Sequence, residues 1–295
     1  MARPRNSRAA APVFALYALM LLLAFLFLFP FLFMLMSSLK PNQQIFADLM
    51  SARAFLPVGD ISFQNYADVL SSSGIGHYAL NSAIVTLATV LLSLVVNSLA
   101  GFALARLEWR GKKAATALLI VLLIIPLEAI AVPMMLIVAK LPLLSFDDGI
   151  SVLTSWLDTR TVQVVPFVAN AFSIFFFTQS FKAIPRDFDE AAYIDGATPL
   201  QVFFHVIVPL SGPAFATVAI LQALNAWNQY LWPVIVVPSE EARPLMVGLQ
   251  QFFRYQTEWG EVMAYATLAT IPVFLAFVFF QRWFVRSVMG SGVKG

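Results

Sequence analysis

The chain has 295 residues, 60% hydrophobic and 12% charged. Soluble domains carry about 25% charged residues, so this composition belongs to a membrane protein. The absence of Cys excludes disulfides and thiolate metal sites, two distant His (His77 and His205) are too few for a His-based metal site, and a net charge of +2 gives no electrostatic footprint for nucleic acid.

Six uncharged or nearly uncharged runs meet the criterion of ~20 apolar residues for crossing a bilayer. They are 12–36, 78–105, 114–139, 162–181, 206–237 and 262–281. Each is expected to be a helix, because hydrocarbon offers no external partner for backbone N–H and C=O groups. The runs are too continuous for barrel strands, which alternate apolar and polar residues. The expected fold class is therefore all-α integral membrane with six transmembrane helices. A short segment, 1–11, precedes the six-helix domain 12–281, and a tail, 282–295, follows it. The opening "MARPRNSR" resembles a secretory signal, but the apolar run behind it exceeds the ~7–15 residues of a signal core. It is read as a retained first helix. In the third run, Pro126 and Pro133 remove backbone donors and are expected to kink the helix.

Lys and Arg set the orientation. With the N-terminus in the cytoplasm, twelve of the eighteen fall on the inner side, including Arg3, Arg5, Arg8, Arg106, Arg110 and Lys112. The positive-inside rule then puts both termini in the cytoplasm of a multi-pass protein of the plasma or inner membrane.

Between runs four and five lies "DFDEAAYIDGATPLQVFFHVIVP", residues 187–209. Four of the sixteen acidic residues sit in its first nine positions: Asp187, Asp189, Glu190 and Asp195. Pro185 suits a helix start, and the early carboxylates complement the positive end of the helix dipole. Gly196 fits a left-handed residue after the helix end. Thr198, Pro199 and Gln201 then read as N-cap, first residue and capping-box partner of a second helix. Two readings stand on spacing alone: a solvated loop helix, or a surface that Ala191 and Ala192 leave bare for close approach.

Here the residues carry a resemblance. "EAA---G---------I-LP" is the signature of the membrane subunits of ABC importers. Glu190, Ala191, Ala192, Gly196 and Pro209 match it in register, with Val206 and Val208 for the usual Ile and Leu. "SLKP" (38–41), "AAYIDGAT", "WNQYLWP" (227–233) and the terminal "GSGVKG" extend the likeness toward the carbohydrate-uptake branch, its maltose-permease-G-like subunits. The resemblance implies the binding-protein-dependent inner-membrane component fold. It also implies a cytoplasmic coupling helix, within the loop 182–205, that docks into a separate ATPase. Asp189, Glu190, Ala191, Ala192, Asp195 and Gly196 would form that docking element. The implied partners are a second permease subunit, an ATPase dimer that binds ATP and Mg, an extracytoplasmic solute-binding protein and membrane lipid. This chain would hold no cofactor and no metal. No G-x-x-x-x-G-K-[ST] phosphate loop occurs in it, and no nucleophile–base or carboxylate pair marks it as an enzyme.

Two places suggest a solute path. Glu128 in the third run costs ~2.5–3.5 kcal/mol at mid-membrane, so it should face protein or water. Either it lines the path or pairs an interfacial cation, or it sits at the headgroups or against the second permease. In "LNAWNQYLWP", Asn225, Asn228 and Gln229 offer amides of the kind sugar hydroxyls need. Alternatively they join helices, while Trp232 belongs to an interfacial aromatic belt. Asn81, Asn97 and Asn170 read as inter-helix hydrogen-bonding groups, and His205 as a residue bonding a nearby carbonyl. The tail "RSVMGSGVKG" reads as frayed, or by resemblance as an ATPase contact. Two other functions fit the same runs: an ion-driven secondary transporter using Glu128, and a scaffold with no solute path. An inverted repeat would favour the former, and none is visible.

Overall fold

The computed structural model describes residues 10–145, 151–153, 155–253 and 257–292. Four helices are long and apolar enough to cross a membrane, or six if each of two sharply bent helix pairs counts as one span. Two compact units result: Met1–Gly74 with Gln251–Ile271, and Ile75–Gln250 with Pro272–Gly295.

In the first unit, α1 (Ala10–Ser37) is a single helix, as the composition of its run predicts. Its apolar side chains stay exposed along nearly the whole length, as suits a helix bathed in lipid. The motif "SLKPN" follows it. Lys40 is buried beneath α2 (Asn42–Asp48) and donates to Asp48 Oδ2 at 2.9 Å and to the Arg53 carbonyl at 2.6 Å. Gln44 ties Asp48 to the following loop by donating to the Val58 carbonyl at 2.6 Å and accepting from the Asp60 amide at 2.8 Å. Asn65, on α3 (Gln64–Ser72), donates to the carbonyls of Ser38 and Lys40. Asn42 accepts from the Trp259 amide at 2.7 Å, at the first residue of α15 (Trp259–Gly292). A short motif at the end of a span thus becomes the hub of a polar clamp.

The Lys40 hydrogen bond holds the Asp48 carboxyl below its ordinary range, against the opposing pull of burial. A depressed folded pKa contributes stability that is complete above the unfolded value of ~3.9 and lost as pH falls through the folded one. Acid unfolding of the purified chain should therefore show a component below about pH 4 that Asp48→Asn removes. A wild-type acid transition unchanged by that substitution would contradict the assignment.

The second unit is built around α4 (Ile75–Ala105), a 31-residue helix. Asn81, Val85, Thr89, Ser93, Asn97, Gly101 and Ala105 recur every four residues along it, and all are buried. Such a stripe of small and polar groups lets neighbouring backbones approach. Against it lie α7 (Arg160–Val168), α8 (Ala171–Lys182) and α12 (Gly212–Trp227). A core of Phe102, Phe177, Phe181, Phe203, Ile207 and Val218 fills one end. A second cluster joins Val162, Trp232, Val236 and Val138.

Three runs are not continuous helices. The third is α5 (Lys112–Leu122) and α6 (Leu127–Val138), bent by 108° where Pro126 precedes α6. Pro133, also expected to kink, lies inside α6. The fourth breaks at Ala169–Asn170, between α7 and α8. The fifth bends by 81° at Ser211, ahead of Gly212–Pro213, and breaks again after α12, before α13 (Leu231–Val236). Helical backbone cannot stop inside an apolar layer unless side chains replace its partners, and they do. Asn97 donates to the Val168 carbonyl at 3.0 Å and accepts from the Asn170 amide at 3.0 Å. Gln222 donates to the Phe167 carbonyl at 2.9 Å. Pro166 gives the Val162 carbonyl no amide four residues on, and the Trp232 indole donates to it at 2.8 Å instead. Trp232 is fully buried in that role, which corrects the expectation of an interfacial belt.

Asn81 and Asn97 act as inter-helix groups, whereas the Asn170 side chain instead caps its own helix α8, accepting from the Ser173 amide at 2.9 Å. Asn81 accepts from Arg160 at 3.0 Å and donates to the carbonyls of Glu241 and Arg243, fixing the loop before α14 (Leu245–Gly248). A two-stranded hairpin, β1 (Leu143–Ser145) and β2 (Ser151–Leu153), is the small non-helical addition among the described residues. α15 continues through the expected tail as far as Gly292, so the described part of the tail is helical rather than frayed. Residues 1–9 and 293–295 lie outside the described residues.

Candidate functional site

The acidic stretch folds as its residues predict. α9 (Asp187–Ile194) begins two residues after Pro185, with Asp187, Asp189 and Glu190 in its first turn. Its end is closed by two backbone bonds. The Gly196 amide donates to the Tyr193 carbonyl at 3.0 Å, and the Ala197 amide to the Ala192 carbonyl at 2.9 Å. This pair requires a left-handed residue, and Gly196 has φ +83°. Thr198 then caps α10 (Pro199–Val202): its amide donates to Gln201 Oε1 at 2.7 Å, and its hydroxyl accepts from the Gln201 amide. Pro199 occupies the first turn.

Beyond α10 the chain widens into a π turn, Phe203–Ile207, before α11 (Val208–Leu210). Pro209 lacks an amide and would crowd the turn before it, and a wider turn relieves both problems. His205 Nδ1 lies 3.1 Å from the Gln201 carbonyl, so it bonds a nearby carbonyl as expected.

The residues read as a docking element divide between two sides. Glu190, Ala191, Asp195 and Gly196 are exposed, and the Ile194 side chain beside them is 86% exposed. Phe188, Tyr193 and Leu200 are also exposed, so the outward surface mixes apolar rings with carboxylates. Ala192 instead packs with Ala197 and Ile184 against the Phe102–Phe181 core. Asp189 is buried and forms an ion pair with Arg106, Nε to Oδ2 3.1 Å. Burial pushes the Asp189 carboxyl above its ordinary range, and the Arg106 and Arg186 guanidiniums pull it back. The resemblance groups Asp189 with its outward neighbours. The signal for its partner was an Arg placed directly after the apolar run 78–105.

Gly196 makes a test of the corner. A β-carbon there would meet nothing within 4 Å, so only the backbone conformation opposes substitution. Gly196→Val should lower stability by about 1–2 kcal/mol, whereas Asn, which tolerates this conformation, should be nearly neutral. Thermal melting of the purified variants reads the difference, and equal melting of Gly and Val forms would contradict the corner.

The second group is less assembled. Asn225 is exposed on α12, and Asn228 is spent partly on its own helix end, donating to the Leu224 carbonyl at 2.8 Å. Gln229 is half-buried, one residue before Tyr230, whose hydroxyl bonds Gln250. Glu128 is exposed in the first turn of α6, with no ion-pair or hydrogen-bond partner among the described residues. Its neighbour Leu127 packs with the Trp232 cluster. No hydrogen bond joins Glu128 to the three amides among the described residues. The described residues contain no cluster of His, Cys, Asp and Glu suited to a metal.

Residues 97–290 match the family model described as "Binding-protein-dependent transport system inner membrane component". The chain is 31% identical over 264 residues to the arabinooligosaccharides transport system permease protein AraQ of Bacillus subtilis strain 168, covering 89% of each chain. It is 31% identical over 277 residues to the diacetylchitobiose uptake system permease protein NgcG of Streptomyces coelicolor, covering 92% of this chain and 86% of that one. A crystal structure of a bacterial ABC transporter involved in the import of the acidic polysaccharide alginate superposes with TM-score 0.77 and 25% identity, over 96% of this chain and 100% of the other. The relatives are permease subunits, which favours transport over the ion-driven carrier and scaffold readings. The chain therefore belongs to the binding-protein-dependent transport system inner membrane components, as a multi-pass permease subunit of an ABC importer rather than an enzyme.

Proposed function

We propose that this chain forms half of the translocation path of an ATP-driven importer for oligosaccharides or related polyols, and that α9 is its coupling helix. The observation that carries the reading is α9 itself: a capped acidic helix, pinned on one side and bare on the other. Twelve of eighteen Lys and Arg residues on one side favour α9 and both termini in the cytoplasm. Glu190, Ala191, Asp195 and Gly196, with Ile194, present the face that an ATPase cleft would grip. The ATPase pair would bind ATP and Mg, since this chain lacks a phosphate loop. A second permease subunit would complete the path, and an external solute-binding protein would deliver the cargo, as the family description implies.

The carbohydrate class draws on relatives named for arabinooligosaccharide, diacetylchitobiose and alginate transport. Asn225, Asn228, Gln229 and Glu128 are the groups of this chain offered to the cargo. Affinity must differ between outward and inward states, because equal binding would shift nothing.

The absence of native Cys makes the path directly testable. In the assembled importer, Cys at 225, 228 or 128 should react with a water-soluble thiol reagent, and cognate oligosaccharide should slow the reaction at 225 and 228. Unreactive positions in every nucleotide state would contradict a path lined by these residues.

A further inference from the structure

We propose that Arg106 and Asp189 are positioning residues that make α9 and the end of α4 move as one body. The inference rests on the reading of α9 as the coupling helix, and it names the joint through which α9 would act.

Arg106 directly follows the last residue of α4, and its amide still donates to the Phe102 carbonyl at 2.8 Å. It is thus a rigid extension of that helix. Its guanidinium makes two contacts with the coupling segment. Nε lies 3.1 Å from Asp189 Oδ2, and a terminal nitrogen donates to the Ile184 carbonyl at 2.8 Å, just before α9. The Arg106 and Asp189 side chains are only 4% and 9% exposed. Asp189 Oδ1 and Arg106 Nε are both buried with no hydrogen-bond partner, so the two side chains are held by charge attraction rather than by a hydrogen bond, and that ion pair is the main compensation for the buried carboxylate.

The remaining seat of α9 is slight. Ala192, Ala197 and Ile184 touch the aromatic core, and two of these offer a single methyl each. Methyl contacts slide, whereas one buried guanidinium held at two points, ion-paired to Asp189 and hydrogen-bonded to the Ile184 carbonyl, fixes direction and register. Buried ion pairs add little net stability over apolar substitutes, but their best-attested use is to specify one arrangement. The pull would also travel. α4 carries Asn97, which holds the broken backbone at Val168–Asn170, so a shift of α4 acts on that interrupted span.

The test uses the Cys-free chain in the assembled importer, with spin labels on Val95→Cys of α4 and Asp187→Cys of α9, both exposed. Distances are measured without nucleotide and with ATP plus vanadate. The intact pair should give one narrow distance in both states. Arg106→Met and Asp189→Asn should each lose the single distance on trapping, while ATPase subunits still co-purify. Arg106→Lys should retain it in part, and the swapped pair, Arg106→Asp with Asp189→Arg, should restore it. A narrow distance in both single variants, with ATPase bound, overturns the joint and leaves the docking reading standing. A swapped pair as broad as the single variants also overturns it. Failure of the parent chain to retain ATPase overturns the docking reading, and the joint with it.

Discussion

Glu190→Lys is expected to abolish ATP-driven uptake while leaving the chain folded and inserted. Glu190 is exposed in the first turn of α9 and makes no ion pair within the chain among the described residues. Replacing it removes no hydrogen bond or ion pair among the described residues, and a positive charge there would relieve rather than worsen the repulsion on Asp189, so a large loss points to a partner surface. At such a surface, unpairing or reversing a desolvated charge costs about 2 kcal/mol or more, roughly 30-fold in affinity. A lysine in the first turn also opposes the helix dipole, by about 0.3–1 kcal/mol, too little to unfold α9 while its ion pair and its C-terminal closure remain. Co-purification of ATPase with the variant, compared with wild type at matched expression, reads the loss. Wild-type recovery and uptake would remove Glu190 from the docking surface. Asp187→Lys is the control, since it makes the same charge change at the first residue of the element.

The second large effect is on folding. Gly101 lies where α4 meets α8, and a β-carbon there would stand 2.6 Å from Phe177 Cβ, 3.2 Å from the Thr178 amide nitrogen and 3.3 Å from the Ile174 carbonyl. Two of these three are backbone atoms, and the third is the first side-chain carbon of the fully buried Phe177, fixed by the backbone, so none can swing aside. Overpacking costs typically about 1–3 kcal/mol where side chains can adjust. Gly101→Leu should exceed that range or fail to accumulate, because relief requires two helices to part. They would part beside the Asn97 bonds, leaving the buried amide and the Val168 carbonyl unpaired. Thermal melting in detergent measures the loss, and Gly76→Ala, at an open position on the same helix, should be neutral. A Gly101→Leu protein that melts like wild type would contradict the close packing of α4 on α8.

Local chemistry was legible in the sequence, and long-range pairing was not. Gly196, Thr198, Pro199 and Gln201 announce their roles because a helix end is decided by residues within four positions of it. The six apolar runs were legible for the same reason, since each is a composition that only lipid explains. The breaks inside runs three, four and five were partly hidden. A proline shows that an amide is missing, but not which distant side chain supplies the bond. Trp232 illustrates this: from its surroundings it reads as a belt residue, yet it serves a carbonyl that Pro166 leaves unmet seventy positions earlier. Lys40 stands in the sequence only as part of "SLKP", and its distant partners Asp48 and Arg53 make it the buried centre of a clamp. Asp189 reads with Glu190, one residue away, but successive residues of a helix point about 100° apart, enough to turn one inward and leave the other in solvent. The candidate path residues carry less, because their roles depend on a subunit and a cargo outside this chain.

Cross-linking from Ile194→Cys in the assembled importer tests the central claim most directly. This side chain is the most exposed apolar group of α9, and the chain has no other Cys to compete. A short thiol cross-linker should join it to the ATP-hydrolysing subunit, in membranes where an impermeant reagent added from outside intact cells leaves that thiol untouched. An adduct only to other proteins, or labelling of position 194 from the external side, would contradict the account.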